Sequence, residues 1–353
     1  MKSVFKKMMM LYVSLALVAA PVELLAGTKK SQKRIYSSQK SALNKHRIAS
    51  RHFSKGGMQR VSVKLRASRT MQPRNAFMAE DSFESSGVLQ LASNKALIVN
   101  QNTGEVVYAK NTNHSAPIAS ITKLMTAMVM LDAKQPLDEV IAISNEDVDY
   151  LKGTSSRLAV GSRLSRGEFL QLALMASENR AASALAHNYP GGKYEFVKAM
   201  NAKALQLGLF NTRFVDPTGL DSANVSTAED LAKMVQAAYQ YPEIRSATTT
   251  PSHEVYVEGR NYPVNFNNTN GLVRAGEWEI GLSKTGFINE AGRCLVMQAQ
   301  IAGEPMIVVL LDSYGKMTRI GDAKRIRKWM EHNSDPRPTT TGQIQPVMSG
   351  SIS

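Results

Sequence analysis

The stretch Ala116-Pro117-Ile118-Ala119-Ser120-Ile121-Thr122-Lys123-Leu124-Met125 decides how the rest of the chain is read. Pro117 precedes an apolar run over 118–131, which predicts a buried helix with Ser120 in its first turn. Residues i and i+3 share a helix face, so the Ser120 hydroxyl and the Lys123 amine come within hydrogen-bond reach. A serine hydroxyl is a weak nucleophile until a neighbouring base takes its proton. A lysine becomes such a base when burial or a nearby cation draws its pKa toward neutral. First-turn backbone N–H groups lack internal partners and can donate to a developing negative charge.

Upstream, 96–100 and 105–109 are strand-like, and Asn102-Thr103-Gly104 between them reads as a hairpin turn. Downstream, Ser165-Arg166-Gly167-Glu168 has the form of a capping box opening a helix over 169–176, which stops at Ser177-Glu178-Asn179. Helical runs follow over 180–187 and 196–207, and Ser226-Thr227-Ala228-Glu229 caps another through Tyr239. The last third turns to strands over 254–257, 280–285, 293–301 and 306–312, with a turn at Ala302-Gly303-Glu304-Pro305, and closes with a helix over 319–332. This order predicts an α/β protein of the α+β type. One antiparallel sheet is built from both ends of the body, with helices packed on it and a helical region inserted between.

A length of 353 residues with 43% hydrophobic content is enough for a substantial core. The formal charge of +14 is unevenly spread. Residues 28–79 carry 14 Lys and Arg and no acid, whereas the chain from Glu80 onward holds 26 basic and 28 acidic residues. Lys2, Lys6 and Lys7, then an apolar run over 8–20 and small residues to Ala26, read as a signal peptide over 1–26 for export to a periplasm. Residues 27–86 have the composition of a basic disordered segment, 87–333 form the body, and 334–353 read as a disordered tail. The basic segment is either a tether to anionic cell-envelope polymer or membrane, or a solvated spacer, and both readings stay open. No nucleic-acid motif accompanies it.

Cys294 is the sole cysteine, so no internal disulfide can form, and its setting Cys294-Leu295-Val296-Met297 reads as a buried strand. The six histidines have no metal-ligand spacing, so neither a metal nor a cofactor is expected.

Lys284-Thr285-Gly286, ending a strand-like run, offers a second cation to depress the pKa of Lys123 and to attract a substrate carboxylate, with the Thr285 hydroxyl as a donor to it. Gly286 lets a substrate lie close to the strand, and the Phe287 N–H beside that of Ser120 would make a two-donor oxyanion hole. Ser177 supplies a hydroxyl relay and Asn179 an amide clamp. Arg180 reads as a surface arginine, while Asp216 and Asn224 read as turn residues.

Taken alone, each motif is weak. Ser37-Ser38-Gln39-Lys40 repeats Ser-x-x-Lys without an apolar helix, and Ser222-Ala223-Asn224 repeats Ser-x-Asn without a preceding helix. Together and in order, Ser120-x-x-Lys123, Ser177-x-Asn179 and Lys284-Thr285-Gly286 resemble the penicillin-binding proteins and serine β-lactamases. Together with 116–126, Phe214-Val215-Asp216-Pro217-Thr218-Gly219-Leu220 and Gly292-Arg293-Cys294-Leu295-Val296 make residues 88–333 similar to the low-molecular-mass D-alanyl-D-alanine peptidases, and the expectation of no second C-terminal domain or amphipathic anchor is similar to the penicillin-binding protein 7 type.

The resemblance implies a β-lactamase/transpeptidase-like fold and acyl transfer, with Ser120, Lys123 and Ser177 catalytic and with Asn179, Lys284, Thr285, Gly286 and Phe287 holding substrate. It also implies peptidoglycan stem peptides as substrate, β-lactam antibiotics as inhibitors, and a D,D-endopeptidase cutting the D-alanine to diaminopimelate cross-link. D,D-carboxypeptidase activity is the alternative. A β-lactamase would need a deacylating base that no segment supplies, and a non-catalytic cell-wall binding protein would not need the intact motif set.

Overall fold

The computed structural model describes residues 88–334 apart from Gly259. The signal-peptide and basic-segment readings and nearly all of the C-terminal tail lie outside the described residues.

Strands β1 (Lys95–Asn100) and β2 (Val106–Lys110) from the start of the body join β9 (Ile280–Ile288), β10 (Gly292–Ile301) and β11 (Glu304–Ser313) from its end. Together they form one antiparallel sheet in the order β2-β1-β11-β10-β9. Strand β1 meets β11 from Lys95 opposite Leu311 to Asn100 opposite Met306, which sews the two ends of the body together. The Asn100 carboxamide oxygen accepts from the N–H groups of Asn102 and Thr103 at 2.9 and 3.1 Å, setting the predicted first hairpin turn. The second turn is tighter than predicted. Ala302 and Gly303 both have positive φ, and Glu304 already pairs with Ile301.

The middles of β1, β10 and β11 are nearly continuously apolar because both faces of the sheet are covered there. Leu97, Val296, Ile307, Val309 and Leu311 point into the core shared with the helical region. Ile98, Leu295, Met297, Val308 and Leu310 point to the other side, where Ala323, Ile326 and Met330 of α8 (Thr318–Ser334) meet them.

Between the two halves of the sheet lie α1 (Thr122–Asp132), α2 (Arg166–Met175), α3 (Asn179–His187), α4 (Gly192–Gln206), α5 (Ala228–Ala238), α6 (Pro242–Thr249) and α7 (Gly271–Ala275). Helix α1 is buried on all sides from Thr122 to Met130, so an amphipathic stripe is absent and the helix forms the centre of this region. Small pairs β3 (Ala116–Pro117) with β6 (Val225–Ser226), β4 (Val140–Ala142) with β5 (Arg163–Ser165), and β7 (Ser252–Val255) with β8 (Val264–Asn267) tie the connections down.

Several local expectations are corrected. Ser120 lies in a 3-10 turn, Ala119–Ile121, and α1 begins only at Thr122. Ala119 has φ +48, which breaks the helix at that point. The run at 254–257 lies outside the main sheet, because it pairs with β8. The Ser165 box is half formed: its hydroxyl accepts from Glu168 N–H at 3.1 Å, while the Glu168 carboxylate turns to His253. Thr227, rather than Ser226, caps α5 through Asp230 N–H.

Candidate active site

The Ser120 turn is built by close packing from two glycines. A Cβ on Gly219 would stand 1.9 Å from the Ala119 carbonyl oxygen, and one on Gly286 would stand 3.1 Å from Ser120 N and 3.0 Å from Ile118 O. Loop 216–220 and strand β9 therefore press their backbones onto the turn from two directions. Eclipsed i and i+3 side chains are the geometry of a 3-10 turn, and Lys123 Nζ donates to Ser120 Oγ at 2.9 Å. Nζ also donates to Asn179 Oδ1 and to the Thr218 carbonyl, each at 2.7 Å.

These partners have a chemical consequence. In the neutral amine, Asn179 and Thr218 take the two N–H bonds, and the lone pair is left facing Ser120. Lys123 is 1% exposed. Burial lowers its pKa to about 7, against the opposing pull of the Asp216 and Glu178 carboxylates. Burial is the largest cause of that shift, so the amine does not depend on the neighbouring Lys284 cation alone to become a base. Glu178 is buried beside the amine and accepts from Ser156 Oγ at 2.8 Å.

Ser177 follows the end of α2 with φ +60, a left-handed conformation that costs a non-glycine residue ~1–2 kcal/mol. That bend sends its hydroxyl toward β9, where Lys284 Nζ donates to it at 2.9 Å. Asn179 opens α3, and its Nδ2 donates to Thr154 Oγ1 at 3.0 Å. Lys284 is fully buried. Burial first, then the charges of Lys123 and Arg319, hold its pKa well below the ordinary lysine range. The two lysines share one electrostatic environment and titrate as a coupled set.

The remaining predicted residues meet at the same place. Ser120, Ser177, Asn179, Thr285, Gly286 and Phe287 line one cavity of about 460 Å3, with Lys123 and Lys284 buried behind them. Thr285 Oγ1 donates to Thr269 Oγ1 at 2.7 Å. The Phe287 ring is half-exposed and lies under the Arg293 guanidinium, 4.4 Å from its carbon to the ring centre.

Arg319, from the first turn of α8, also lines this cavity, and its Nε and Nη1 are buried without a hydrogen-bond partner. Burial, aided by the Arg293 charge, lowers its pKa. An unpaired guanidinium facing a cleft is a receptor for an anionic group. The sequence reading missed it, since nothing local separates Arg319 from the other basic residues of a closing helix. Arg180 is half-buried and bonds the Leu158 carbonyl at 2.7 Å, which corrects the surface reading.

Asp216 and Asn224 do serve turns. The Asp216 carboxylate accepts from Gly219 and Asp221 N–H at 2.8 and 2.9 Å, and Asn224 Oδ1 accepts from Val215 N–H at 2.7 Å. Cys294 is buried, and burial raises its thiol pKa to about 11. No cluster of three or more His, Cys, Asp or Glu residues suited to a metal is found among the described residues.

Comparison with known proteins agrees with this arrangement. The family described as D-alanyl-D-alanine carboxypeptidase matches residues 81–315. The chain is 54% identical over 258 residues to a D-alanyl-D-alanine endopeptidase of Pseudomonas aeruginosa, spanning 73% of this chain and 80% of that one. It is 48% identical over 264 residues to a D-alanyl-D-alanine endopeptidase of Escherichia coli, spanning 75% and 82%. Among solved structures, the Streptomyces K15 DD-transpeptidase is 30% identical with a TM-score of 0.64, covering 68% of this chain and 97% of its own. Motif order, fold and these similarities together place the chain in the D-alanyl-D-alanine carboxypeptidase family of serine peptidases.

Proposed function

We propose that this protein is a serine D,D-peptidase of peptidoglycan that cuts the D-alanine to diaminopimelate cross-link. The observation that carries the chemistry is a buried lysine amine with a pKa of about 7, 2.9 Å from a serine hydroxyl. The endopeptidase preference draws on the two relatives at 54% and 48% identity.

Neutral Lys123 takes the Ser120 proton as Oγ attacks the carbonyl carbon of the D-alanine before the scissile bond. The resulting oxyanion collects the backbone N–H groups of Ser120 and Phe287. As the C–N bond breaks, the proton travels through the Ser177 hydroxyl, held by Lys284, to the leaving amine. A water molecule then attacks the Ser120 ester and gives its proton to Lys123, which passes it to the departing Ser120 Oγ as the acid is released, restoring the hydroxyl and the neutral amine. The carboxylate beside the scissile bond rests against Thr285, Lys284 and Arg319, which together supply the positive side of the cleft. β-Lactams carry a strained amide and a carboxylate in the same relation, so they acylate Ser120 and inhibit. Residues 1–26 direct export to the periplasm, where this substrate lies.

Purified protein given cross-linked dimers and uncross-linked pentapeptides, followed by mass spectrometry, tests the reading. Conversion of dimers to monomers is expected. Loss of only the terminal D-alanine would make it a carboxypeptidase, and no turnover of either would favour the binding-protein alternative.

A further inference from the structure

The Asp149 carboxylate organises the loop over 149–154 as one piece. It accepts from the N–H groups of Leu151, Lys152 and Thr154, all at 2.9 Å, and from Thr154 Oγ1 at 2.7 Å. Thr154 in turn accepts from Asn179, so this wall is registered to the reacting centre. From it Lys152 reaches to the turn between β9 and β10, and its Nζ meets Glu290 Oε1 at 2.5 Å. Lys152 and Asn289, the neighbour of Glu290, line the same cavity as Ser120, so the ion pair is a strap that ties the 149–154 loop to the β9–β10 turn beside that cavity.

The strap has a defined place along a bound peptide. In the reaction proposed above, on which this inference rests, the carbonyl sits at Ser120 and Phe287, and the leaving side faces Lys284, Thr285 and Arg319. A peptide lying antiparallel along the β9 edge carries the residue before its reacting D-alanine past Ile288 and Asn289, under the strap. In a diaminopimelate stem that residue has a long side chain ending in a carbon that bears an ammonium and a carboxylate. Lys152 and Glu290 offer the matching charges, and both are part-exposed, with side chains 29% and 43% accessible. A part-exposed ion pair contributes little, so exchanging it for two new pairs costs little.

We infer that Lys152 and Glu290 are a specificity subsite for this zwitterionic side-chain end, with Lys152 taking its carboxylate and Glu290 its ammonium. The strap opens by exchange of partners and closes again over the bound stem. Both residues act on which stem is held and take no part in the bond chemistry.

The test uses three cross-linked dimers whose donor stem carries diaminopimelate, lysine in its place, or diaminopimelate acetylated on the free amine. kcat/KM is compared in wild type, Lys152→Gln and Glu290→Gln. Wild type is expected to prefer the first dimer over each of the others by about fivefold, as suits part-exposed charge pairs. Lys152→Gln loses the preference over the lysine stem and keeps that over the acetylated stem, and Glu290→Gln does the reverse. Unchanged ratios in both variants overturn the subsite. A wild type that cuts all three alike overturns the subsite and leaves the peptidase reading standing. One that cuts none, and forms no adduct with benzylpenicillin, overturns both.

Discussion

Lys123 Nζ stands 2.9 Å from Ser120 Oγ, with its other two bonds fixed on Asn179 and Thr218. Because burial sets the pKa of this amine at about 7, acylation should rise with pH through neutrality and level off above it. Stopped-flow acylation by a chromogenic β-lactam between pH 5 and 9 measures this, and a flat profile would remove Lys123 as the base. The same shift has a stability signature. An unfolded lysine holds its proton up to about 10.4. Between pH 7 and 10 the unfolded state therefore binds more protons at this site, and folding stability from Lys123 rises with pH. Denaturant unfolding at several pH values should show that slope, relative to Lys123→Met, and the penalty should be fully present below pH 7.

Asn179→Asp places a carboxylate where Lys123 now meets a neutral oxygen. An opposite charge at that distance raises a lysine pKa by about 1–3 units. The acylation profile should move to alkaline pH by that amount, with activity near pH 7 down about fivefold for a one-unit shift and several hundredfold for three. An unmoved midpoint would separate Asn179 from the amine.

Gly219→Ala and Gly286→Ala should fail differently. Gly219 has φ +81, and its added Cβ would strike the Ala119 carbonyl, so stability should fall by ~1–3 kcal/mol and penicillin acylation with it. Gly286 needs only a few tenths of an ångström from Ile118, Ala119 and Ser120. Its variant should melt near wild type while acylation slows about ten- to hundredfold, because the reacting atoms are displaced. Thermal unfolding and acylation rates on the same preparations check both.

Arg319→Met should raise KM for carboxylate-bearing substrates about tenfold or more with a smaller change in kcat, since it removes a charge-assisted donor that the cleft holds unpaired. It should also release the Lys284 pKa upward, because one of the charges that lower it is gone. Steady-state kinetics against a substrate amidated at that carboxylate gives the control: wild type and variant should handle it alike.

The sheet was readable from sequence because β1, β10 and β11 are short apolar runs bounded by turn residues, and their closure from both chain ends follows from their order. The Ser120 and Lys123 pairing was readable because it is local, three residues apart. What sequence left hidden is non-local or lies in the backbone. The Thr218 carbonyl that fixes Lys123 carries no residue signature at all. The positive φ at Ala119 and Ser177 is imposed by packing against residues distant in the chain, where propensity favours helix. Arg319 arrives from a helix 35 positions after Lys284 and becomes a site residue only when α8 packs on the sheet. Lys152 and Glu290 are 138 residues apart, and each alone reads as surface charge.

Labelling with a fluorescent penicillin, followed by intact mass and peptide mapping, tests the nucleophile most directly when applied to wild type and Ser120→Ala. A stable adduct on the peptide containing Ser120 that the variant loses is the expected result. An adduct that persists in Ser120→Ala, or none in wild type, would contradict acylation at this cleft.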